Sequence, residues 1–211
     1  TIFVLIINFT KISAFKARTS IYAIKRLNFS GQKSYHSRFN TKEKARPLIG
    51  VEIGVSKGIN AKQILNFLNI KQLILVDPWK GYAEAWWEED ISNPIDKTLD
   101  DNYHESNYKE TLKRFSNNSK VKIIRDYSTN AAKMFDDEYF DFVYIDGNHS
   151  YEGVKKDLES WYPKLKKFGV MCGDDYGNIH VPVIKAVSEF VYKHKLLVNC
   201  DANKQFWFVK V

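Results

Sequence analysis

The stretch FDFVYIDGNHSYEGVKKDLE, residues 140–159, decides the fold. It begins with a run of aromatic and β-branched side chains that is typical of a buried strand. From about residue 151 to 165 the pattern changes to that of a helix, and Ser150 is suited to cap its start. A carboxylate, a glycine, an amide and an imidazole, from Asp146 to His149, separate the two patterns. The apolar residues at helical spacing are Val154, Leu158, Trp161 and Leu165.

Strand and helix patterns alternate from Pro47 to the end of the chain. Besides 140–146, strands are predicted at 48–55, 72–77, 121–126, 169–174, 195–200 and 204–211, and helices at 60–69, 104–115, 129–135 and 181–194. This alternation predicts an α/β fold with a doubly wound, mostly parallel sheet of seven strands. The last two strands are too close in sequence for a crossover helix, so one antiparallel strand is predicted near the C-terminus.

Charge divides the chain into two parts. Residues 1–46 hold ten Lys and Arg and one acid, Glu43, which gives this segment a charge of +9 and leaves −2 for the remaining 165 residues. We therefore predict a basic N-terminal arm, 1–46, and one domain, 47–211. Nucleic-acid enzymes more often carry positive charge around the active site, so nucleic acid is the less favoured partner.

The arm allows several interpretations. Its first residues, TIFVLIINF, form an apolar run too short to cross a bilayer, so no transmembrane segment is predicted. Residues 10–42 contain no acid and resemble an organellar transit peptide, although a flexible basic extension is favoured. A membrane-surface or RNA-binding arm stays open. We expect a cytoplasmic protein whose two cysteines, Cys172 and Cys200, are buried thiols.

Polar residues and glycines follow five of the predicted strands. Ligands of doubly wound sheets bind beyond the carboxyl ends of the strands. Besides Glu52 within the first strand, acids stand at the other four ends, which is hard to attribute to solubility because these turns share one edge of the sheet. The residues are Glu52, Gly54, Ser56 and Gly58; Asp77; Asp126, Tyr127 and Ser128; Asp146 to His149; and Asp174 and Asp175.

Asp77 ends the second predicted strand, 19 residues after Gly58. An acid at this place can accept both hydroxyls of a ribose, and a cap for the turn at Pro78 and Trp79 is the alternative interpretation. The glycines of the first turn do not have the G-x-G-x-x-G spacing of nicotinamide-binding enzymes, so that class is the least favoured.

Several blocks together resemble a known family. They are VEIGVSKG (51–58), LILVDPW (73–79), IIRDYSTNAAKMF (123–135) and the stretch from Phe140 to Tyr176. In order and spacing they are similar to class I S-adenosylmethionine-dependent methyltransferases, and more narrowly to the branch with a strand-end D-G-x-H-x-Y motif, which includes small-molecule and sugar O-methyltransferases. The resemblance covers residues 47–211 and implies a Rossmann-like fold with S-adenosylmethionine as cofactor.

The resemblance implies roles for the loop after the first strand. Gly54 and Gly58 would let this loop wrap the methionine part of the cofactor, with Ser56 between them and Glu52 near the ammonium group. Ser56 stands where many of these enzymes have a third glycine, and Asp126 also stands where a glycine is common.

The other strand ends receive roles in the same way. Asp77 would hold the ribose hydroxyls, and Trp79 would flank the ribose or the adenine. Tyr127 and Ser128 would lie beside the adenine. Asp146 would face the methionine end of the cofactor and the acceptor.

Two residues are candidates for catalysis and three for a metal. His149 is placed to take a proton from an acceptor hydroxyl, or else to orient Asp146. Asp146, Asp174 and Asp175 could converge on a divalent cation such as Mg²⁺, which favours oxygen ligands. The alternative is that Asp174 or Asp175 caps the next segment or binds the acceptor directly.

An aromatic and acidic insert, about residues 78–107, follows the second strand. We interpret it as a lid over the acceptor, because aromatic faces suit sugar rings and flat rings. An oligomer contact, which would make the protein a homo-oligomer, or an ordinary packed helix is the alternative. Its acidity disfavours a nucleic-acid acceptor. Its aromatic residues are Trp79, Tyr82, Trp86, Trp87 and Tyr103.

Three functions therefore remain open. The favoured one is O-methylation of a small hydroxylated acceptor such as a sugar, with or without a divalent metal. A nucleic-acid-associated methyltransferase anchored by the basic arm is the second. A non-catalytic cofactor-binding or scaffold protein on the same fold is the third, because fold alone does not fix function.

Overall fold

The computed structural model describes Ile24 and residues 46–81, 101–178 and 180–211. In these ranges the strands are β1 (Leu48–Ile53), β2 (Ile70–Val76), β3 (Val121–Ile124), β4 (Phe140–Ile145), β5 (Leu165–Gly173), β6 (Asn199–Cys200) and β7 (Phe206–Val209). The helices are α1 (Ile59–Phe67), α2 (Asp101–Phe115), α3 (Ser128–Ala132), α4 (Tyr151–Trp161) and α5 (Val181–Lys193). None of the helices in the described ranges is long and apolar enough to cross a membrane.

The seven strands form one sheet in the order β3-β2-β1-β4-β5-β7-β6. The pairs from β3 to β5 are parallel, and β7 runs antiparallel to both of its neighbours. The predicted fold class is thus confirmed, including the single antiparallel strand. Strands β2 and β3 are added on one side of β1, and the chain then returns to place β4 on the other side of β1. The direction in which strands are added therefore reverses between β1 and β4, and doubly wound sheets bind ligands at such a point.

The core has two layers because helices cover both faces of the sheet. On β4, Val143 and Ile145 belong to the cluster that includes Leu158 of α4 and Val187 of α5. Phe142 belongs to the other cluster, which includes Ile64 of α1. Alternate residues of β4 therefore enter opposite layers, as the period of two requires, and every β4 residue is buried.

Two predicted boundaries were wrong for local reasons. Helix α4 ends at Trp161, just before Pro163, and Leu165 begins β5 instead of ending the helical stripe. Strand β6 has two residues instead of six. The cause is a Schellman cap on α5: Lys195 is left-handed (φ 54°), its N–H bonds the Tyr192 carbonyl, and the Leu196 N–H bonds the Val191 carbonyl.

The root of the arm is tied to the sheet. The buried Asp141 carboxylate accepts hydrogen bonds from Arg46 (2.9 Å), Lys166 (2.9 Å) and the Ile49 N–H (2.8 Å). Burial alone would raise the pKa of Asp141, but these three donors outweigh it and hold the pKa below its usual value. Ile24 is helical and packs in the same layer as α1. The rest of the predicted arm lies outside the described residues.

The two cysteines differ. Cys172 of β5 is buried, as predicted, whereas Cys200 of β6 is exposed, so the prediction for Cys200 was wrong. Cys200 lies on the outermost strand of the sheet, which has a neighbour on one side alone.

Candidate active site

The carboxyl ends of β1, β2, β3, β4 and β5 bring the predicted residues to one edge of the sheet. The β1 loop meets the end of β4 directly. Gly54 has a φ of 80°, and a side chain there would overlap the main-chain carbonyl of Asp146. Gly58 begins α1 with a φ of 70°, and a Cβ on it would lie 2.6 Å from the Phe115 ring. Both glycines are thus required by the fold, whatever the loop also binds.

Gly147 is different from these two glycines. A glycine directly after a strand suggests a sharp exit, but the φ of Gly147 is outside the left-handed region. An added Cβ would meet its nearest atoms, which belong to Asp157 and Ile53, at an ordinary 3.5 Å. The sharp approach at this point is therefore made by Gly54, across from Gly147.

Asp77 is bound to the β1 loop. One carboxylate oxygen accepts the N–H groups of Val55 (2.8 Å) and Ser56 (2.9 Å), and the other accepts the Trp79 N–H (2.6 Å). A carboxylate has about four acceptor positions, so three of them are already used. Asp77 therefore has room for about one further hydrogen bond, whereas the sequence suggested that it could take both ribose hydroxyls.

Ser56 is held on several sides. Its carbonyl accepts hydrogen bonds from the Trp79 indole (2.8 Å) and from the Thr111 hydroxyl (2.8 Å), while Asn107 reaches its hydroxyl at 3.4 Å. Its φ of 49° is unusual for a residue other than glycine. These contacts explain how a serine occupies the place where a glycine is common in the resembling enzymes.

Helix α2 clamps the loop, and the sequence did not reveal this. Besides Asn107 and Thr111, which are both buried, Arg114 donates to the Lys57 carbonyl at 2.8 Å. The three residues are spaced by four and three, so they lie along one side of α2. Buried polar residues at helical spacing, in a helix that is otherwise polar, were the signal that could have found them.

Trp79 lies in the core. It is 2% exposed, its ring centroid is 4.8 Å from that of Tyr108, and its indole donates to Ser56. Glu52 is also buried, at 1% exposure, and accepts a hydrogen bond from the Asn60 amide at 2.8 Å. These two predicted cofactor residues therefore lie beneath the loop instead of projecting from the edge of the sheet.

A cavity of about 560 Å³ opens between the ends of β2 and β3 and the start of α2. Arg125 in its wall is paired with Glu105 at 2.7 Å and lies over the Tyr108 ring at 4.4 Å. Tyr127 is 49% exposed. The lining residues are Pro78, Trp79, Lys80, Asp101, Asn102, Glu105, Arg125, Asp126 and Tyr127.

Ser128 turns away from this cavity. Its hydroxyl accepts a hydrogen bond from the Trp161 indole at 2.8 Å and also bonds the buried Asp157 carboxyl. Burial raises the pKa of Asp157 to about 7, although Ser128 and the positive charge of His149 act to lower it. The hydroxyl of Ser128 is thus used within the core, and only the neighbouring Tyr127 of this pair lines the cavity.

The other half of the edge holds a cluster of imidazoles and carboxylates. The ring of His149 lies between two acids, with Nε2 3.6 Å from Asp146 and Nδ1 3.3 Å from Asp175. His180, which the sequence did not single out, lies 3.6 Å from the other oxygen of Asp175. One ligand atom from each of His149, Asp175 and His180 falls within 4.8 Å of the other two.

Burial alone lowers the pKa of His149. The adjacent Asp146 carboxylate and the charges of Asp175 and Asp174 outweigh burial, so the pKa of His149 is raised. The imidazole therefore holds a proton more tightly than an isolated histidine, and in its neutral form it is a stronger base toward a group that gives it a proton.

The three acids predicted to hold Mg²⁺ all come from the ends of β4 and β5, but they fit that ion poorly. The His149 ring stands between Asp146 and Asp175, and the group whose ligand atoms converge contains two nitrogens. Mg²⁺ prefers oxygen ligands at about 2.0–2.1 Å. We therefore assign no step of the reaction to Mg²⁺.

Part of the predicted lid lies outside the described residues, including Tyr82, Trp86 and Trp87. In the described part of the insert, Tyr103 on α2 is 39% exposed, and its ring meets that of His104 edge-on at 5.5 Å. The assignment of a lid stays a prediction.

Comparison with known proteins agrees with this geometry. The family described as a methyltransferase domain, Methyltransf_24, matches residues 51–176. This chain belongs to that family. The match begins in β1 and ends just after the Asp174–Asp175 pair, so it covers all five strand ends described above. Its fold is the Rossmann-like fold of class I, S-adenosylmethionine-dependent methyltransferases.

This chain also has a viral relative of unstated activity. The chain is 32% identical to the uncharacterized protein R132 of Acanthamoeba polyphaga mimivirus over 154 aligned residues. The alignment covers 72% of this chain and 62% of R132. The chain thus spans less than two thirds of that relative's length.

Solved structures share the fold at low sequence identity. The calicheamicin methyltransferase CalS11 has a TM-score of 0.61 at 12% identity, over 90% of this chain and 77% of CalS11. The O-methyltransferase NovP has a TM-score of 0.52 at 20% identity, over 78% of this chain and 72% of NovP. At these identities the likeness is one of fold.

Proposed function

We propose that this methyltransferase transfers the methyl group of S-adenosylmethionine to a hydroxyl of a small acceptor such as a sugar. The observation that carries the proposal is the His149 imidazole between Asp146 and Asp175, at the end of the strand that packs against the Gly54 loop. This geometry supports the proposal, because the imidazole would accept a proton beside the loop that would hold the cofactor.

The β1 loop and the cavity are the proposed cofactor site. Gly54, Ser56 and Gly58 would supply backbone for the methionine part, above the buried Glu52. The fixed conformation of this loop supports the assignment, since a site held in advance loses less entropy on binding.

The sugar and base of the cofactor would occupy the neighbouring cavity. Asp77 would accept one ribose hydroxyl, and Tyr127 would face the adenine from the cavity wall. Trp79 and Ser128 would support this site from the core, since their side chains are bonded within the protein.

The chemistry requires alignment and removal of one proton. S-adenosylmethionine would supply a methyl group on a sulfonium, which is a good leaving group. The acceptor oxygen would bond to the methyl carbon as the bond from that carbon to sulfur breaks, and the electron pair of the broken bond would stay on sulfur. The hydroxyl proton would pass to the Asp146–His149 pair. Such positioned proton transfer contributes about 10²–10⁴-fold to a rate.

The full chain tests this proposal. Calorimetric titration with S-adenosylhomocysteine should show micromolar binding, and labelled S-adenosylmethionine should transfer its methyl group to a member of a panel of sugars and diols. His149→Gln should lower the transfer rate about 10²–10⁴-fold while S-adenosylhomocysteine affinity stays within about threefold. His194→Gln, which changes an imidazole outside the cluster, is the matched control.

Two outcomes would contradict the proposal. One is a folded chain that does not bind S-adenosylhomocysteine, which would favour the scaffold interpretation. The other is a product that carries its methyl group on nitrogen, as methylated nucleic-acid bases do.

A further inference from the structure

We propose that His149, Asp175 and His180 form a binding site for a nitrogen-preferring divalent transition metal of the Zn²⁺ type. The cluster offers two imidazoles and one carboxylate, whereas the sequence suggested three carboxylates for Mg²⁺. Imidazole ligands suit Zn²⁺ and its transition-metal neighbours, while all-oxygen sites suit Mg²⁺ and Ca²⁺. Binding of the ion stands by itself; its role in catalysis rests on the proposed function.

The distances fit a coordination sphere. Ligand atoms around a tetrahedral ion are separated by roughly 3.4 Å when each lies about 2.1 Å from the metal. In the cluster, His149 Nδ1 is 3.3 Å from one oxygen of Asp175, and His180 Nε2 is 3.6 Å from the other. Small side-chain movements would therefore bring all three ligand atoms onto one ion.

Asp146 completes the arrangement as an outer partner. It lies 3.6 Å from Nε2 of His149, on the side of the ring opposite the proposed metal-binding Nδ1. Once this contact closes to hydrogen-bond distance, the carboxylate would fix the Nε2–H tautomer and present the Nδ1 lone pair to an ion. The same pattern of carboxylate, imidazole and metal recurs in zinc enzymes.

The backbone around His180 and Asp175 agrees with a ligand role. His180 occupies the N-cap position of α5, yet its side chain does not cap the helix. Asp175 has a φ of 59°, in the left-handed region that aspartate adopts more readily than most residues other than glycine. Each of the three side chains keeps 14–27% of its surface exposed, so solutes can reach the cluster.

Three protein ligands leave a position on the ion for an acceptor oxygen. An ion at this place lowers the pKa of a hydroxyl bound to it, which makes the oxygen a better nucleophile near neutral pH. Because the ion would occupy Nδ1 of His149, Asp146 is then the member of the Asp146–His149 pair that receives the hydroxyl proton.

Metal binding by the tag-free full chain, stripped with a chelator, tests the inference without any assay of activity. Titration calorimetry should show one Zn²⁺ per chain at micromolar or lower Kd, with no competition from millimolar Mg²⁺. Co²⁺ should give the strong visible bands of a four-coordinate site, and Cu²⁺ should show nitrogen hyperfine coupling in its electron paramagnetic resonance spectrum.

The two ends of α5 offer matched variants. His180 precedes the helix and His194 follows it, about 20 Å away at 1.5 Å per residue. His180→Ala should weaken Zn²⁺ binding by at least 100-fold, Asp146→Asn by about 10–100-fold, and His194→Ala should leave it unchanged. Thermal melting of each variant confirms that it is folded.

Other results would overturn the inference. Absence of Zn²⁺ binding, or binding that survives His180→Ala, would mean that the cluster is an ion-pair network. Mg²⁺ binding that is lost in Asp174→Asn but kept in His180→Ala would restore the three-carboxylate site. S-adenosylhomocysteine titration of the same samples separates failure of the metal site from failure of the proposed function, since it does not depend on the ion.

Discussion

Replacement of Asp77 tests separately the two roles proposed for its carboxylate, which are to hold the β1 loop and to accept a ribose hydroxyl. Asp77→Ala leaves the N–H groups of Val55, Ser56 and Trp79 without their acceptor. Hydrogen bonds to a charged group contribute about 1.5–3 kcal/mol each, and water can replace part of this at a half-exposed site. At about 1 kcal/mol per bond, Asp77→Ala should lower the free energy of unfolding by about 3 kcal/mol.

Asp77→Asn is the more informative variant. Its remaining oxygen can keep the Val55 and Ser56 bonds, and its amide NH₂ faces the Trp79 N–H, so about 1 kcal/mol should be lost. For a chain of this size these losses correspond to about 6–12 °C in Tm for Asp77→Ala and about 2–4 °C for Asp77→Asn. If Asp77 also accepts a ribose hydroxyl, Asp77→Asn should weaken S-adenosylhomocysteine binding by about 10–100-fold.

Melting curves and calorimetric titrations of both variants provide the measurement. Asp137→Ala, which removes a surface acid paired with Lys164, is the control for loss of charge and should change Tm little. An Asp77→Ala variant that melts like the wild type would refute the reasoning about the loop. An Asp77→Asn variant that binds S-adenosylhomocysteine within about threefold of the wild type would refute the ribose contact. Loss of binding in Asp77→Ala alone decides nothing, because a disordered loop would have the same effect.

Three further predictions concern the support of the site. The carboxyl of Asp157 has a pKa of about 7 in the folded chain and 3.8 in the unfolded chain, so the contribution of its bound proton to stability is lost as the pH rises to about 7. In urea unfolding, the free energy of unfolding of Asp157→Asn should therefore rise by about 3 kcal/mol relative to that of the wild type between pH 5 and 8. A difference that stays constant with pH would contradict the burial of Asp157. Gly54→Ala should lower the free energy of unfolding by more than about 2 kcal/mol, because Gly54 has a left-handed φ and a side chain there would overlap Asp146, while Gly147→Ala should be tolerated. Equal melting temperatures of these two variants would exclude this packing. Trp79→Phe removes both the indole N–H that bonds Ser56 and part of a buried ring, so a loss of more than about 1 kcal/mol in chemical denaturation is expected, and no loss would contradict both the bond and the burial.

The strands and their carboxyl ends could be predicted from the sequence because burial leaves a strong local pattern. Every residue of β4 is buried, which explains why all of its side chains except that of Asp141 are aromatic or aliphatic. The antiparallel direction of β7 could be predicted because a crossover between parallel strands needs more residues than the connection from Asp201 to Lys204 provides. Ser150 caps α4 through the Gly153 N–H at 3.0 Å, as its position suggested.

The side-chain contacts of the site depend on elements that are distant in sequence, so a local pattern could not reveal them. The contacts from Thr111 and Arg114 to the β1 loop join residues separated by 55 and 57 positions. The resemblance implied that Trp79 flanks the ribose or the adenine, but no local pattern showed that its ring is buried, with a left-handed φ of 44° and an indole bonded to Ser56. His180 follows Asp175 by five residues, but its ring lies 5.4 Å from that of His149 only because the fold brings the ends of β4 and β5 together.

The two halves of the edge are held in different ways. The half proposed for the cofactor is held by hydrogen bonds that α2 donates and that Asp77 accepts, and these contacts fix Ser56 in its unusual backbone conformation. At the acceptor half, the left-handed Asp175 lies between two imidazoles on the turn that joins β5 to α5. Backbone strain of this kind persists where the surroundings over-determine it, and an ion bound by all three side chains would supply that constraint. We therefore expect substitutions in this turn to change the preferred acceptor without disturbing the β1 loop, because the bonds that hold that loop lie on other elements.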